Sequence, residues 1–161
     1  MKVNKRNFNI KEIVSQFNYE GYFTESKLCG SGHINDTFEV TCIKNNGTPI
    51  RYILQRINTN IFKAPEKLME NIENVTTYLK EKIIAVGGNP ERETLSLIDT
   101  IAGKTFYVSA SGDYWRSYAF IEGAKTYVLE NLLKEGKLPL RVTHNDTKFN
   151  NIMIDDETGE G

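Results

Sequence analysis

Three polar residues near the end of the sequence have types and spacing that could support phosphoryl transfer. His144, Asp146 and Asn151 form the pattern H-x-D-x-x-x-x-N, which is the spacing of a phosphoryl-transfer catalytic loop. In such a loop the carboxylate accepts the proton of the attacking hydroxyl, and the amide oxygen holds Mg²⁺ on the phosphates. We therefore predict that Asp146 is the general base, that Asn151 is a metal ligand and that His144 braces the loop by hydrogen bonding. The alternative is a polar turn between strands, in which Asn and Asp side chains bond their own backbone.

Lys148 lies inside the same loop, and the sequence leaves its role open. It could meet the γ-phosphate as negative charge builds up during transfer, or it could be a solvated surface lysine. Asp155 and Asp156 follow shortly after, and we interpret them as turn formers instead of metal ligands. The apolar stretches at 140–143 and 152–154 are predicted to be short strands that enter and leave the loop.

A glycine-containing turn near the start of the chain is a second candidate site. Glycine has no side chain, so the backbone amides of residues 30–32 could approach a triphosphate closely. The turn is neither a P-loop nor a GxGxxG fingerprint, and a Gly-Ser-Gly hairpin taken alone is more often only a turn. Its position ahead of a predicted strand and a helix favours phosphate binding. The predicted contacts are Gly30, Ser31, Gly32, His33 and Asn35.

The composition is that of an ordinary globular chain and excludes several function classes. The 161 residues are 25% charged and 39% hydrophobic, enough for one domain with a real core. The net charge of −1 and the pI near 6.2 argue against non-specific nucleic-acid binding. No segment is apolar enough for a membrane span and the polar start is no secretory signal, so we expect a cytoplasmic protein without membrane contact. Cys29 and Cys42 lack metal-binding spacing and are expected to be reduced thiols.

Hydrophobic periodicity predicts an α+β fold in which a long helix is inserted into an antiparallel sheet. Asn9 and Glu12 have capping-box spacing at the start of a first helix. A longer helix is predicted from Pro65 to about residue 84. Its apolar stripe, expected to lie on the sheet, consists of Leu68, Ile72, Val75, Leu79 and Ile83. The predicted strands are 26–31, 37–43, 50–57, 94–100, 104–110 and 114–121, and a last helix is predicted at 124–135.

Four segments of the sequence resemble one family. The stretch 138–161, LPLRVTHNDTKFNNIMIDDETGEG, closely resembles the catalytic-loop region of bacterial N-acetylhexosamine 1-kinases, which belong to the aminoglycoside phosphotransferase and choline kinase superfamily. Segments 28–38, 52–58 and 114–123 resemble that family's phosphate-loop hairpin, third strand and approach to the interlobe hinge. The resemblance implies a protein-kinase-like fold and the ATP- and Mg²⁺-dependent phosphorylation of the anomeric hydroxyl of N-acetylglucosamine or N-acetylgalactosamine.

The sequence departs from the family at two places. The family has a second metal ligand, an Asp in an Ile-Asp-x-Asp strand, but here the sequence ends at Gly161 within the preceding hairpin turn. Only residues 124–143 separate the hinge-like segment from the catalytic loop, where the family has a longer set of helices. We therefore expect a shortened or truncated member, with a nucleotide-binding lobe and hinge at 1–123 and a partial catalytic lobe at 124–161. Such a chain is expected to be a poor catalyst by itself and to expose a lobe interface through which it could self-associate.

The resemblance also implies how the nucleotide phosphates would be held. A kinase lobe uses a cation on its third strand, usually a Lys paired with a Glu of the helix. Here Arg56 takes that position, and its fork suits phosphate oxygens. Glu73, on the flank of the apolar stripe, is favoured over Glu70 as its partner. The alternative is that both glutamates are solvated surface charges.

The hinge-like segment is expected to bind adenine. Residues 119–122 would present backbone groups to the base, and Phe120 or Ile121 would cover its face. Trp115, the sole tryptophan, is interpreted as a core residue in preference to a ligand platform.

Two alternatives to a sugar kinase remain. The first is a phosphotransferase of the same fold that acts on choline, an aminoglycoside or another alcohol, since only overall resemblance favours the sugar. The second is an inactive chain that binds nucleotide or packs with a partner.

Overall fold

The computed structural model describes residues 8–29, 34–126 and 153–155. The chain divides into two compact units, Met1–Phe120 and Ile121–Gly161. The elements of the first unit are α1 Ile10–Val14, β1 Tyr22–Leu28, β2 Asp36–Ile43, β3 Pro49–Ile57, α2 Pro65–Ala85, α3 Pro90–Glu93, β4 Tyr107–Val108 and β5 Tyr114–Ala119. The second unit contains β6 Ala124–Thr126 and β7 Met153–Asp155.

The first unit is built on a five-stranded antiparallel sheet with the strand order β1-β2-β3-β5-β4. At its centre Leu54 of β3 lies opposite Phe38 of β2 and Ser117 of β5. This sheet with few helices confirms the α+β class. The predicted free thiols are also found, since Cys29 and Cys42 form no disulfide.

One face of the sheet, the core face, carries the apolar residues of the three central strands and packs against α1. Side chains alternate between the two faces of a strand, and on this side they are Phe38, Val40, Cys42, Tyr52, Leu54, Trp115 and Ser117. Ile13 and Val14 of α1 and the following Phe17 complete the buried cluster. The predicted core position of Trp115 is confirmed, because its side chain is 0% exposed. Its ring meets that of Phe8 edge-on at 5.1 Å between centroids.

The first helix begins as predicted from the capping-box spacing. Asn9 Oδ1 accepts a hydrogen bond from the Glu12 backbone N–H at 3.4 Å, and Asn9 Nδ2 donates to Glu12 Oε2 at 3.0 Å. The first bond satisfies the Glu12 N–H, which the first turn would otherwise leave unpaired, and the second holds the two side chains together.

The opposite face, the polar face, carries mostly hydrophilic side chains, together with Ile53 and the buried Ile57. By alternation and register it consists of Thr37 and Glu39 of β2, Arg51, Ile53, Gln55 and Ile57 of β3, and Tyr114, Arg116 and Tyr118 of β5. Near its edge the Tyr114 hydroxyl donates to Glu66 Oε1 in the first turn of α2 at 3.2 Å. The start of α2 therefore lies on this side of the sheet.

The bounds of α2 agree with the prediction, but the burial of its stripe does not. The buried residues are Pro65, Met69 and Thr76, whereas Val75 is 47% and Leu79 is 40% exposed. A 21-residue helix is about 31 Å long, and its hydrogen bond to the sheet is in its first turn, so the later turns extend beyond that contact. Among the described residues no helix has the length and apolar character needed to cross a membrane.

The strand predicted at 94–100 is wrong, because this segment changes partner too soon to form a ladder. Leu97 bridges Tyr118, and Thr100 bridges Phe17. Each bridge is isolated, so the segment is an irregular connection. The predictions at 104–110 and 114–121 are confirmed only over the shorter β4 and β5.

The helix predicted at 124–135 is wrong for its first three residues, and the remainder lies outside the described residues. Residues 124–126 form β6, which pairs antiparallel with β7. Pairing with a strand that is distant in sequence has overridden the local preference for helix. The strand predicted at 152–154 corresponds to β7, displaced by one residue. The strand predicted at 140–143 lies outside the described residues.

Candidate functional site

Most of the residues predicted to carry out chemistry lie outside the described residues. They are Gly30, Ser31, Gly32, His33, His144, Asp146, Lys148 and Asn151. The structure places the other five predicted residues, Asn35, Arg56, Glu73, Phe120 and Ile121.

Arg56 lies at the end of β3 and forms ion pairs with two carboxylates. Its Nε and Nη2 atoms are 2.7 Å and 2.6 Å from Asp36 Oδ2, and its Nη1 is 3.2 Å from Asp113 Oδ1. Its guanidinium also lies over the Phe8 ring, 5.4 Å from the centroid. Arg56 therefore joins β2, β3 and the turn before β5 on the core face, where its positive charge is balanced by two aspartates.

Glu73, the predicted helix partner of Arg56, lies exposed on α2. Thr76, in the next turn of the helix, is buried. Its hydroxyl donates to the backbone oxygens of Ile72 and Glu73 at 2.8 Å and 3.2 Å. The carboxylates that the structure brings to Arg56 are thus Asp36 and Asp113. Glu73 was expected from the family pattern of a helix glutamate paired with the cation, and that pattern does not predict these two aspartates.

Asn35 anchors the segment that follows the glycine-containing turn. Its Oδ1 accepts a hydrogen bond from the Asn58 backbone N–H at 2.9 Å, and Asn58 Nδ2 donates to the Ile34 carbonyl at 2.9 Å. This reciprocal pair attaches the start of β2 to the end of β3. The Asn35 side-chain oxygen is thus engaged in this attachment.

At the end of β5, Phe120 has one ring face covered by a cation. The Arg51 guanidinium carbon lies 3.9 Å from the ring centroid, and the Phe120 backbone N–H donates to the Arg51 carbonyl at 3.2 Å. The Ala119 backbone N–H donates to the Ser96 carbonyl at 2.9 Å. Two of the amides in the predicted adenine-binding segment are therefore already bonded. Ile121, partly buried, begins the second unit.

A hydrogen-bonded chain of side chains crosses three strands on the polar face. Gln55 Nε2 donates to Thr37 Oγ1 at 2.9 Å. Arg116 donates through Nε at 3.0 Å and through Nη2 at 2.7 Å to Gln55 Oε1. We call these three residues the cross-strand network. It places a partly buried guanidinium near the middle of the sheet.

Arg116 is the functional candidate that sequence reasoning missed. Burial lowers the pKa of its guanidinium, because the charged form is less well solvated there. Burial likewise raises the pKa of the neighbouring Tyr118. The alternation of side chains along β5 could have predicted the position of Arg116 on the polar face. If Trp115 faces the core, the arginine next to it must lie on the opposite face.

A second charged cluster lies further along the polar face. Glu39 is only 7% exposed, and its Oε1 is 3.0 Å from Lys27 Nζ and 3.3 Å from Arg51 Nη1. Burial alone would raise the pKa of Glu39, but the hydrogen bonds from Lys27 and Arg51 outweigh it. The pKa of this carboxyl therefore lies below the usual range of a glutamate.

A small cavity lies on the other side of the sheet, between α1 and the turn before β5. Its volume is about 250 Å³, and its walls include Glu12, Ser111, Asp113 and Trp115. Within the part of the chain that the structure describes, the buried Trp115 Nε1 has no hydrogen-bond partner. The cavity adjoins the Arg56 ion pairs through Asp113.

The described residues contain no metal-binding cluster, and the sequence matches no family model. Across 8–29, 34–126 and 153–155, no group of three or more His, Cys, Asp or Glu side chains could hold a metal ion. The predicted Mg²⁺ ligand, Asn151, lies outside those ranges.

Proposed function

We propose that this protein is an ATP-dependent small-molecule kinase with a protein-kinase-like fold. It transfers the γ-phosphate to a sugar hydroxyl, and the acceptor we favour is the anomeric hydroxyl of an N-acetylhexosamine. The observation that carries the proposal is the string His144-Asn145-Asp146-Thr147-Lys148-Phe149-Asn150-Asn151, within a segment similar to the catalytic loop of N-acetylhexosamine 1-kinases. In this string a carboxylate and an amide are five residues apart, the separation that base and metal ligand need in such a loop.

The described strands and helices support the proposal in general terms. A kinase-like nucleotide-binding lobe consists of an antiparallel sheet with one inserted helix, and the first unit has five antiparallel strands with α2 inserted after β3. The glycine-containing turn joins β1 to β2, where its backbone amides would bind phosphate. The amides of Ala119 and Phe120 are bonded within the protein.

The catalytic roles follow from the chemistry of the side chains. Bound ATP with Mg²⁺ supplies the phosphoryl group and neutralises charge on its oxygens. Asp146 accepts the proton of the acceptor hydroxyl, and Asn151 would hold the metal through its amide oxygen. His144 would orient the loop by hydrogen bonding, and Lys148 would meet the γ-phosphate as negative charge builds up on transfer.

The proposal is tested by nucleotide binding and by product formation. Isothermal titration calorimetry with ATP and Mg²⁺ should show binding. Mass spectrometry should detect slow formation of N-acetylglucosamine 1-phosphate, which we expect to be too slow for a coupled ADP assay. Incubations with choline and with an aminoglycoside distinguish the alternative acceptors.

Asp146→Asn is the decisive variant. General base catalysis contributes about 10²- to 10⁴-fold to rate, so the variant should lose product formation by at least this factor while ATP still binds. Asp99→Asn, an aspartate of the connection between α3 and β4, is the matched control and should retain the wild-type rate. Equal rates in wild type and Asp146→Asn would refute the assignment of the base. Failure of the wild type to bind any nucleotide would refute the kinase function.

A further inference from the structure

The cross-strand network presents a cation whose charge no carboxylate balances among the described residues. Arg116 donates two hydrogen bonds, and both go to the neutral Gln55 Oε1. Arg56, by contrast, holds Asp36 and Asp113 at 2.6–3.2 Å. Among the described residues this partly buried guanidinium bonds only an amide, and a desolvated cation is stabilised by an opposite charge close to it.

We infer that Arg116, oriented by Gln55 and Thr37, binds the phosphates of a nucleoside triphosphate on the polar face, in place of Arg56. The inference rests on the proposed function, and it assigns the cation of the phosphate site to β5.

The donor geometry of Arg116 suits this role. An arginine has five N–H donors in a rigid fork, and the Gln55 contact uses one on Nε and one on Nη2. Both donors of Nη1 and one of Nη2 point away from that contact. Two donors in this fork match two phosphate oxygens. Gln55 fixes the plane of the guanidinium, so little side-chain freedom is lost when phosphate binds.

The pKa shifts agree with this arrangement. Burial lowers the pKa of Arg116 and raises that of Tyr118, since the site disfavours either charged side chain in the absence of an opposite charge. Arg116 nevertheless stays protonated, because an arginine begins from so high a pKa. A bound triphosphate would supply the missing negative charge.

The network is connected to the glycine-containing turn through the backbone. The Cys29 N–H donates to the Thr37 carbonyl at 2.8 Å, and Cys29 immediately precedes Gly30 in the sequence. Thr37 in turn bonds Gln55, which bonds Arg116. Thr37, the first residue of the network, is therefore bonded to Cys29, the last described residue before that turn. Arg56 lies on the core face, across the sheet from these residues.

The experiment measures binding of ATP, inorganic tripolyphosphate and adenosine by isothermal titration calorimetry to the wild type and Arg116→Gln. Losing a charge-assisted hydrogen bond costs about 1.5–3 kcal/mol, so Arg116→Gln should bind ATP and tripolyphosphate about 10- to 150-fold more weakly. Adenosine affinity should not change. Arg92→Gln makes the same chemical change in α3, where Arg92 is exposed, and should leave all three affinities within about twofold, a change of under 0.5 kcal/mol.

Each outcome decides something. ATP affinity that is unchanged in Arg116→Gln, or lost only in Arg56→Gln, overturns the inference. Tripolyphosphate binding that depends on Arg116 in a protein that binds no ATP supports the anion site and refutes the nucleotide function. A wild type that binds neither ligand overturns both. If circular dichroism shows that Arg116→Gln is unfolded, Arg116→Lys is measured instead, since it keeps the charge and the stem. Weaker tripolyphosphate binding by Arg116→Lys supports phosphate binding by the guanidinium of Arg116. Unchanged binding overturns that assignment.

Discussion

Replacing Arg56 with Met should destabilise the fold markedly, because Arg56 joins three parts of the sheet that are distant in sequence. The side chain is 15% exposed and Asp113 is 18% exposed, whereas Asp36 is 42% exposed. Breaking a buried ion pair by removing one partner costs about 3–5 kcal/mol, whereas exposed pairs contribute about 0.2–1 kcal/mol. The free energy of the Arg56–Asp113 pair should be closer to that of a buried pair. The Arg56–Asp36 pair is short, but solvent screens it and reduces its contribution. We expect a loss of about 2–3 kcal/mol in the free energy of unfolding.

Methionine is chosen because it retains most of the apolar stem and removes the guanidinium that lies over Phe8. The assay is urea denaturation followed by circular dichroism, with the slope of the transition compared between variants to check that only stability has changed. The matched control is Lys44→Met, which breaks the Lys44–Glu20 pair, where Glu20 is 62% exposed. That loss should stay below about 1 kcal/mol. Equal losses in the two variants would refute the view that Arg56 is a structural ion-pair centre and would return it to the list of phosphate ligands.

Two further predictions concern stability. Gly21→Ala should lower the free energy of unfolding by about 1–3 kcal/mol, because Gly21 has φ +89° and an added Cβ would lie 2.3 Å from the Ile43 carbonyl oxygen. The control in urea denaturation is Gly47→Ala, since Gly47 has φ +83° but open space around it. An equal loss of stability in both variants would mean that the steric contact with Ile43 does not contribute. Glu39→Gln should destabilise at neutral pH, and its difference in Tm from the wild type should shrink as pH falls, because a carboxyl with a lowered pKa contributes stability above its unfolded-state pKa and loses it on protonation. Glu25→Gln, at an exposed position on β1, is the control and should change Tm little at pH 7. A Glu39→Gln difference that is constant from pH 7 to acid would contradict the lowered pKa.

The elements that the sequence predicted well are those specified by local patterns. The capping box at Asn9, the proline start of α2 and the alternation in β3 each depend on neighbours within a few residues. The segments at 94–100 and 124–126 were predicted wrongly because their conformation depends on partners far along the chain. Periodicity gives the face of an element, whereas pairing is a tertiary property.

In the candidate site, too, the sequence predicted local features better than contacts between distant residues. The spacing of the residues that we propose for phosphoryl transfer is visible in the sequence, but the partners of Arg56 are not. Asp36 is twenty residues and Asp113 fifty-seven residues from it in sequence. The position of Arg116 was within reach, since Trp115 predicted the opposite face for its neighbour. What the sequence could not give is that Gln55 orients the guanidinium, because that contact depends on the register of β3 with β5.

The burial of Trp115 gives this protein an intrinsic optical probe. It is the sole tryptophan of the chain, its indole is fully enclosed among aromatic rings, and it lies on the central strand pair of the sheet. Its emission should therefore be blue-shifted in the folded state and should shift to the red when the sheet separates from α1. Because Arg116 is its neighbour in β5, an anion that binds on the other face would reach the same strand. Fluorescence titration of the unlabelled protein could thus follow both folding and ligand binding through one side chain.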